Sequence, residues 1–149
     1  MNHITVNESN FEKARNQIKK NLKEGRKTIF AGIDDELNRK ILEKEKIDIF
    51  LPELKNRKDF QKQRNSGFNH VLAKIAKKNN VKIGIDLSEI LEAPEKTKAD
   101  IFARIRQNVK ICGKNKLKMK FLNVDGKNVH DLKALGTVLG MPTWMTKEL

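Results

Sequence analysis

Two clusters of side chains in this chain have the types and spacing to grip a phosphodiester backbone. Arg64, Asn65 and Ser66 lie just ahead of Asn69 and His70, and Arg104, Arg106, Asn108 and Lys110 follow one another along a helical stretch. A guanidinium fork can meet two phosphate oxygens at once, whereas an ammonium group offers a point charge. Only 7 of the 32 basic residues are Arg. Arg64, Arg104 and Arg106 falling inside these clusters therefore points to a need for geometry. Internal salt bridges to loop carboxylates are the competing use of the same residues.

The distribution of charge supports a polyanionic partner. The chain of 149 residues carries a formal charge of +13, from 32 Lys and Arg against 19 Asp and Glu. No acidic residue occurs between Asp59 and Asp86, where Lys62, Arg64, Lys74, Lys77, Lys78 and Lys82 lie. None occurs between Asp100 and Asp125 either, where Arg104, Arg106, Lys110, Lys114, Lys116, Lys118 and Lys120 lie. These two windows hold the entire excess charge, and each cation that meets a phosphate would release condensed counterions. A Lys-rich surface that serves only solubility would look similar in composition.

Other chemistry finds little support. His3, His70 and His130 are the only histidines, and no HxH or HExxH pair is present. A hydrolytic metal centre would need several such ligands. Asp34 and Asp35 follow a strand-like run, but two Asp residues ahead of a helix also serve as an N-cap with favourable dipole placement. There is no Gly-rich phosphate loop and no nucleophile elbow. The single cysteine, Cys112, excludes an internal disulfide and reads as a small core residue. Phenylalanines sit mostly within apolar periodicities, so contact with RNA is expected chiefly through backbone and shape.

The elements that position these residues alternate short apolar runs with longer amphipathic ones, as β/α units with parallel strands do. Strands are expected at 3–6, 28–33, 47–51, 81–87 and 117–122. Phe11, Ala14, Ile18 and Leu22 form one helical stripe, with Ser9 or Asn10 as N-cap and Gly25 as the stop. Leu37, Ile41 and Leu42 form a second, and further helices are expected at 69–78, 97–112 and 128–139. In the third, Val71, Leu72, Ile75 and Ala76 share one side and Lys74, Lys77 and Lys78 the other. In the fourth, Ile101, Phe102, Ile105, Val109 and Cys112 make the apolar stripe, flanked by Arg104 with Asn108 and by Arg106 with Lys110. Ser66 and Asn69 suit N-capping as well as a phosphate at the helix start. Trp144 and Met145 fit a protein interface or closure of the core. Residues 55–64, rich in charge and amides, read as a mobile loop that a partner orders. No linker or repeat divides the chain, so residues 1–149 form a single domain. No apolar run approaches the roughly 18 residues of a membrane span. The N-terminal MNHITVNESN lacks the basic and apolar regions of a signal peptide, so no membrane partner and a cytoplasmic location are expected.

Read together, RNSGFNHVLAKIAKKNNVKIGIDLSEIL at 64–91 and ARIRQNVKICGK at 103–114 resemble the signature segments of ribonuclease P protein component 3, and DLKALGTVLGM at 131–141 resembles the family's closing helix. The resemblance implies a TIM-like barrel. A closed one typically takes about 200 residues or more, so the five readable strands imply a shortened or incomplete α/β barrel with mostly parallel strands. The strand ending at Leu122 alternates apolar residues with Lys, which places it near an edge or facing solvent.

For function, the resemblance implies a protein subunit of ribonuclease P that assists the catalytic RNA in removing the 5′ leader of precursor tRNA. In that family the RNA holds the catalytic Mg²⁺, so this chain is expected to supply no catalytic residue and to bind no cofactor or metal itself. Expected partners are the ribonuclease P RNA and protein component 2, with precursor tRNA engaged indirectly. By matching position, Arg64, Asn65, His70, Arg104, Arg106 and Asn108 are expected to contact RNA or to shape its binding surface. Lys74, Lys77, Lys78, Lys110, Lys114 and Lys116 join them as electrostatic contacts. A TIM-like metal-dependent phosphoesterase and a generic basic RNA-binding module are the alternatives.

Overall fold

The computed structural model describes residues 3–32, 34–147 and 149. Five strands, β1 (His3–Val6), β2 (Lys27–Gly32), β3 (Ile49–Pro52), β4 (Lys82–Asp86) and β5 (Met119–Leu122), form one sheet in sequential order. Each pairs in parallel with the next. The helices between them are α1 (Phe11–Lys23), α2 (Asp35–Lys44), α3 (His70–Lys78), α4 (Leu87–Glu92) and α5 (Glu95–Lys114); α6 (Val129–Val138) and α7 (Thr143–Thr146) follow β5. A parallel sheet wound in strict order is a barrel wall. Here it is open, with β1 and β5 at its edges, as an incomplete barrel requires.

The two faces of the sheet differ. Val6, Phe30, Phe50, Ile83 and Met119 stand in register across all five strands, and all are buried within the core that the helices cover. Ile29 and Ile49, on the opposite face, are buried but lie outside that core. On that face the open sheet curls inward and side chains of neighbouring strands meet. A Cβ on Gly84 would stand 2.9 Å from Leu122 Cδ1 and 3.0 Å from Ile49 Cγ2, so a side chain there would displace the Leu122 and Ile49 side chains that meet over β4. The curl also brings the edges within electrostatic reach. Partial burial, then the charge of Lys120 on β5, holds the imidazole of His3 on β1 below its usual pKa.

Local signals explain most element boundaries. Asn10, Asp34, Asn69 and Asn128 each accept a backbone N–H with the side chain, capping α1, α2, α3 and α6. Gly25, at φ +70°, ends α1 as expected. Two helices arise where none is expected, α4 and α7, and α5 starts at Glu95 and runs to Lys114. The short α4 begins inside the expected fourth strand because Asp86 turns and caps it, accepting from Ser88 N at 3.0 Å and Ser88 Oγ at 2.7 Å. Ile33, expected to end β2, lies outside the described residues. Met145 is fully buried and closes the core, while Trp144 remains 37% exposed with the Lys116 ammonium 5.9 Å from its ring centre. Cys112 is buried, which pushes its thiol up to about 12.

Candidate nucleic-acid interface

The segment between β3 and α3, residues 53–69, makes a set of polar contacts with the body of the protein. Arg104, 5% exposed on α5, is the post that holds it. Its Nη1 donates to Leu54 O at 2.7 Å and its Nη2 to Arg57 O at 2.9 Å. Nη2 and Nε also reach Asp59 Oδ1, at 3.1 and 3.3 Å. Asp59 accepts the backbone N–H of Asn65 at 2.8 Å as well. That N–H, followed by the hydrogen bonds and charge of Arg104 and the charge of Arg64, holds the Asp59 carboxyl below its ordinary pKa. Asn108, 2% exposed one turn further along α5, donates to Ser66 O at 3.4 Å, and Gln107 donates to Ser66 Oγ at 3.1 Å and to Arg64 O at 2.8 Å.

A second arginine completes the clamp. Arg57 donates from Nε to Glu53 O, and its Nη1 meets Asp35 and Asn65, each at 3.3 Å. Its guanidinium passes directly beneath Gly67, which has φ +69° and room for no Cβ: one would lie 2.4 Å from Arg57 Nη2. Gly67 is thus fixed twice, by backbone conformation and by packing.

These contacts divide the expected site residues. Arg104 and Asn108 are buried with their side-chain donors engaged inside the protein, Asn65 Oδ1 accepts from Arg57 and Gly67, and Ser66 is buried with its hydroxyl donating to Phe68 O. Arg104 and Asn108, expected either to contact RNA or to shape its surface, are both buried. Arg64 is intermediate, 44% exposed and paired with Asp59 and Asp100 at 3.4 and 3.2 Å. His70, Lys74, Lys77 and Lys78 on α3, Arg106, Lys110 and Lys114 on α5, and Lys116 just beyond it are all exposed. Arg106, Lys110 and Lys114 follow at i, i+4, i+8 and so share one face of α5.

α3 and α5 pack side by side, so their exposed faces form one groove. A concavity of about 250 Å³ lies there, lined by Gln63, Asn69, His70, Gln107, Lys110 and Lys114 among others. Asn115 lies 3.1 Å from His70 Nδ1, which fixes the ring at the groove's edge. Lys77 donates to Lys116 O at 2.9 Å, tying the far end of α3 to the turn after α5. The groove combines cations with amide donors and, among its lining residues, no carboxylate, a set suited to phosphate and sugar oxygens. Sequence reasoning named every cation in it and overlooked Gln63 and Gln107, which carry no charge.

The C-terminal ends of the strands, where a barrel enzyme would hold its chemistry, are occupied differently. Asp86 caps α4 and accepts from Asn123 at 2.8 Å, while Glu89 accepts Lys55 N at 2.9 Å, with burial raising its pKa. Among the described residues no three His, Cys, Asp or Glu side chains gather closely enough to hold a metal ion.

An open, singly wound parallel wall with a basic groove on its helical side defines the class: a TIM-like α/β protein. The chain is similar to ribonuclease P protein component 3 from two archaea. It is 27% identical over 146 residues to that of Methanococcus maripaludis, covering 97% of this chain and 58% of the relative. It is 23% identical over 138 residues to that of Methanothermobacter thermautotrophicus, covering 93% and 54%. A chain in a cryo-EM structure of archaeal ribonuclease P with mature tRNA shares the fold with a TM-score of 0.78 at 22% identity, covering 97% of this chain and 62% of that one. No family model matches. The chain therefore spans a little over half the length of the curated relatives it matches.

Proposed function

We propose that this protein is an RNA-binding subunit of ribonuclease P, assisting the catalytic RNA in removing the 5′ leader of precursor tRNA. The observation that carries the reading is the groove between α3 and α5, where His70, Lys110 and Lys114 converge inside the two segments that resemble component 3. Relatives of that name, matched along nearly the whole chain, support it. In this role Arg106, Lys110, Lys114, Lys74, Lys77, Lys78 and Lys116 meet phosphates, and His70 and Arg64 flank them. Arg104, Asn108 and Asn65 hold the 53–69 segment that forms the groove's wall. Component 2 is the proposed protein partner, precursor tRNA is engaged through the complex, Mg²⁺ resides on the RNA, and the cytoplasm is the proposed setting.

The test is cleavage of precursor tRNA by the cognate RNA at low Mg²⁺ with component 2 present. Adding this protein should stimulate cleavage, and the folded variant Arg106→Ala/Lys110→Ala/Lys114→Ala should lose most of the stimulation. Absence of stimulation with every component folded, alongside equal affinity for unrelated RNAs, would replace the reading with a generic basic RNA-binding module.

A further inference from the structure

Six of the seven phenylalanines pack in or against the core; Phe60 does not. It is 57% exposed, in the segment between β3 and α3, and lines a different concavity from the basic groove. It lines a cavity of about 410 Å³ shared with Val71 of α3, itself 51% exposed, and with Asp35, Glu36 and Arg39 of α2 and with Arg64. We propose that this cavity takes one unpaired RNA base, stacked on Phe60 with its Watson–Crick edge toward Glu36. The inference rests on the RNA-binding reading above.

Three observations carry it. The ring follows directly on an anchored residue, because the carboxylate of Asp59 is held by Arg104 and by the N–H of Asn65. An exposed aromatic that is already positioned loses little freedom when a planar ligand stacks on it. Next, the cavity balances two carboxylates against two guanidiniums, unlike the carboxylate-free groove. A phosphate would gain little there, whereas a neutral base offers donors and acceptors together. Asp35 is engaged by Arg57 and Arg39 by Glu43, whereas the Glu36 carboxylate has no side-chain partner among the described residues. A guanine edge, with adjacent imino and amino N–H groups, matches a carboxylate, and uracil does not. Finally, Gln63, Phe68 and Asn69 line both the cavity and the groove, so the two are separated by a single ridge. A strand whose phosphates follow α3 and α5 can splay one base across that ridge.

The test uses the full chain carrying Trp144→Phe and Phe60→Trp, so that a single indole reports on the cavity, titrated with the single-stranded pentanucleotides UUGUU and UUUUU. UUGUU should quench the indole and bind severalfold more tightly than UUUUU, and Glu36→Gln should remove that preference. In the otherwise unaltered protein Phe60→Ala should weaken UUGUU binding about tenfold while leaving its salt dependence unchanged. Binding that still depends on Lys110 and Lys114 but neither quenches the indole nor responds to Phe60→Ala would overturn the base site and leave the RNA-binding reading standing. No binding of either oligonucleotide, or of the cognate RNA, would overturn both.

Discussion

The two polar faces of α5 carry the same kinds of residue to opposite ends. On one, Arg104 and Asn108 are 5% and 2% exposed, and their donors are spent on Leu54, Arg57, Asp59 and Ser66. On the other, Arg106, Lys110 and Lys114 stand in solvent beside α3. A helix rotates by about 100° per residue, so a step from Arg104 to Arg106 is enough to move a guanidinium from the interior to the surface. Residues two apart in one motif are therefore not equivalent evidence for binding. The inner face builds the wall that the outer face uses, and the two should respond to mutation in different observables.

The largest effect is expected at Arg104. Arg104→Lys keeps the charge but cannot hold Leu54 O, Arg57 O and Asp59 together, and should cost about 2 kcal/mol in urea unfolding, since buried carbonyls lose their donors. If Arg104 acted through charge on RNA, this variant would be silent in stability, and the inner–outer distinction would fail. Gly67→Ala should cost a similar amount, about 2 kcal/mol, from the positive φ and from the displaced Arg57 guanidinium. Its readout is the unfolding midpoint, with RNA affinity falling as the groove wall loosens. The outer face should behave the other way round. Lys110→Ala/Lys114→Ala should leave stability within about 0.5 kcal/mol and flatten the slope of log affinity against log salt by about two units. An unchanged slope would remove this face from the interface.

Much of this architecture was legible in the sequence because it depends on short-range rules. The five strands are short apolar runs, and the caps at Asn10, Asp34, Asn69 and Asn128 are side-chain oxygens placed just ahead of apolar periodicity. The charge windows located the groove, since acid-free stretches on α3 and α5 necessarily meet where those helices pack. The clamp was not legible. Arg104 lies 45 residues from Asp59 and 50 from Leu54, and nothing local distinguishes it from Arg106. Its inward side is set by α5 burying a stripe wide enough to include Ile101, Arg104, Ile105 and Asn108. Residues 55–64 read as a mobile loop for the same reason: their polar contacts are made with Arg104 of α5 and Asp35 of α2, both far away in the chain. Phe60 was hidden by averaging, because the other phenylalanines do sit in apolar periodicities.

The smallest effect, and the most specific to the clamp, is its dependence on pH. The Asp59 carboxyl is held below its ordinary value, first by the Asn65 N–H and then by Arg104, so the folded state binds its proton less readily than the unfolded state. The stabilisation is then fully present above the unfolded value of about 4 and is lost as pH falls through the lower folded value. Unfolding free energies measured between pH 6 and pH 3 should therefore fall less steeply for Asp59→Asn than for the unaltered protein, with the two curves converging at the acid end. Protection of the Asn65 amide against exchange, measured relative to its intrinsic rate at each pH, should fall over the same interval, because the carboxylate accepts its N–H. Lys110→Ala should leave both readouts as they are, since the outer face takes no part in the clamp. A constant gap between the two stability curves at every pH would mean that Asp59 holds the segment no better charged than neutral, and that the backbone carbonyls on Arg104 alone define the inner face.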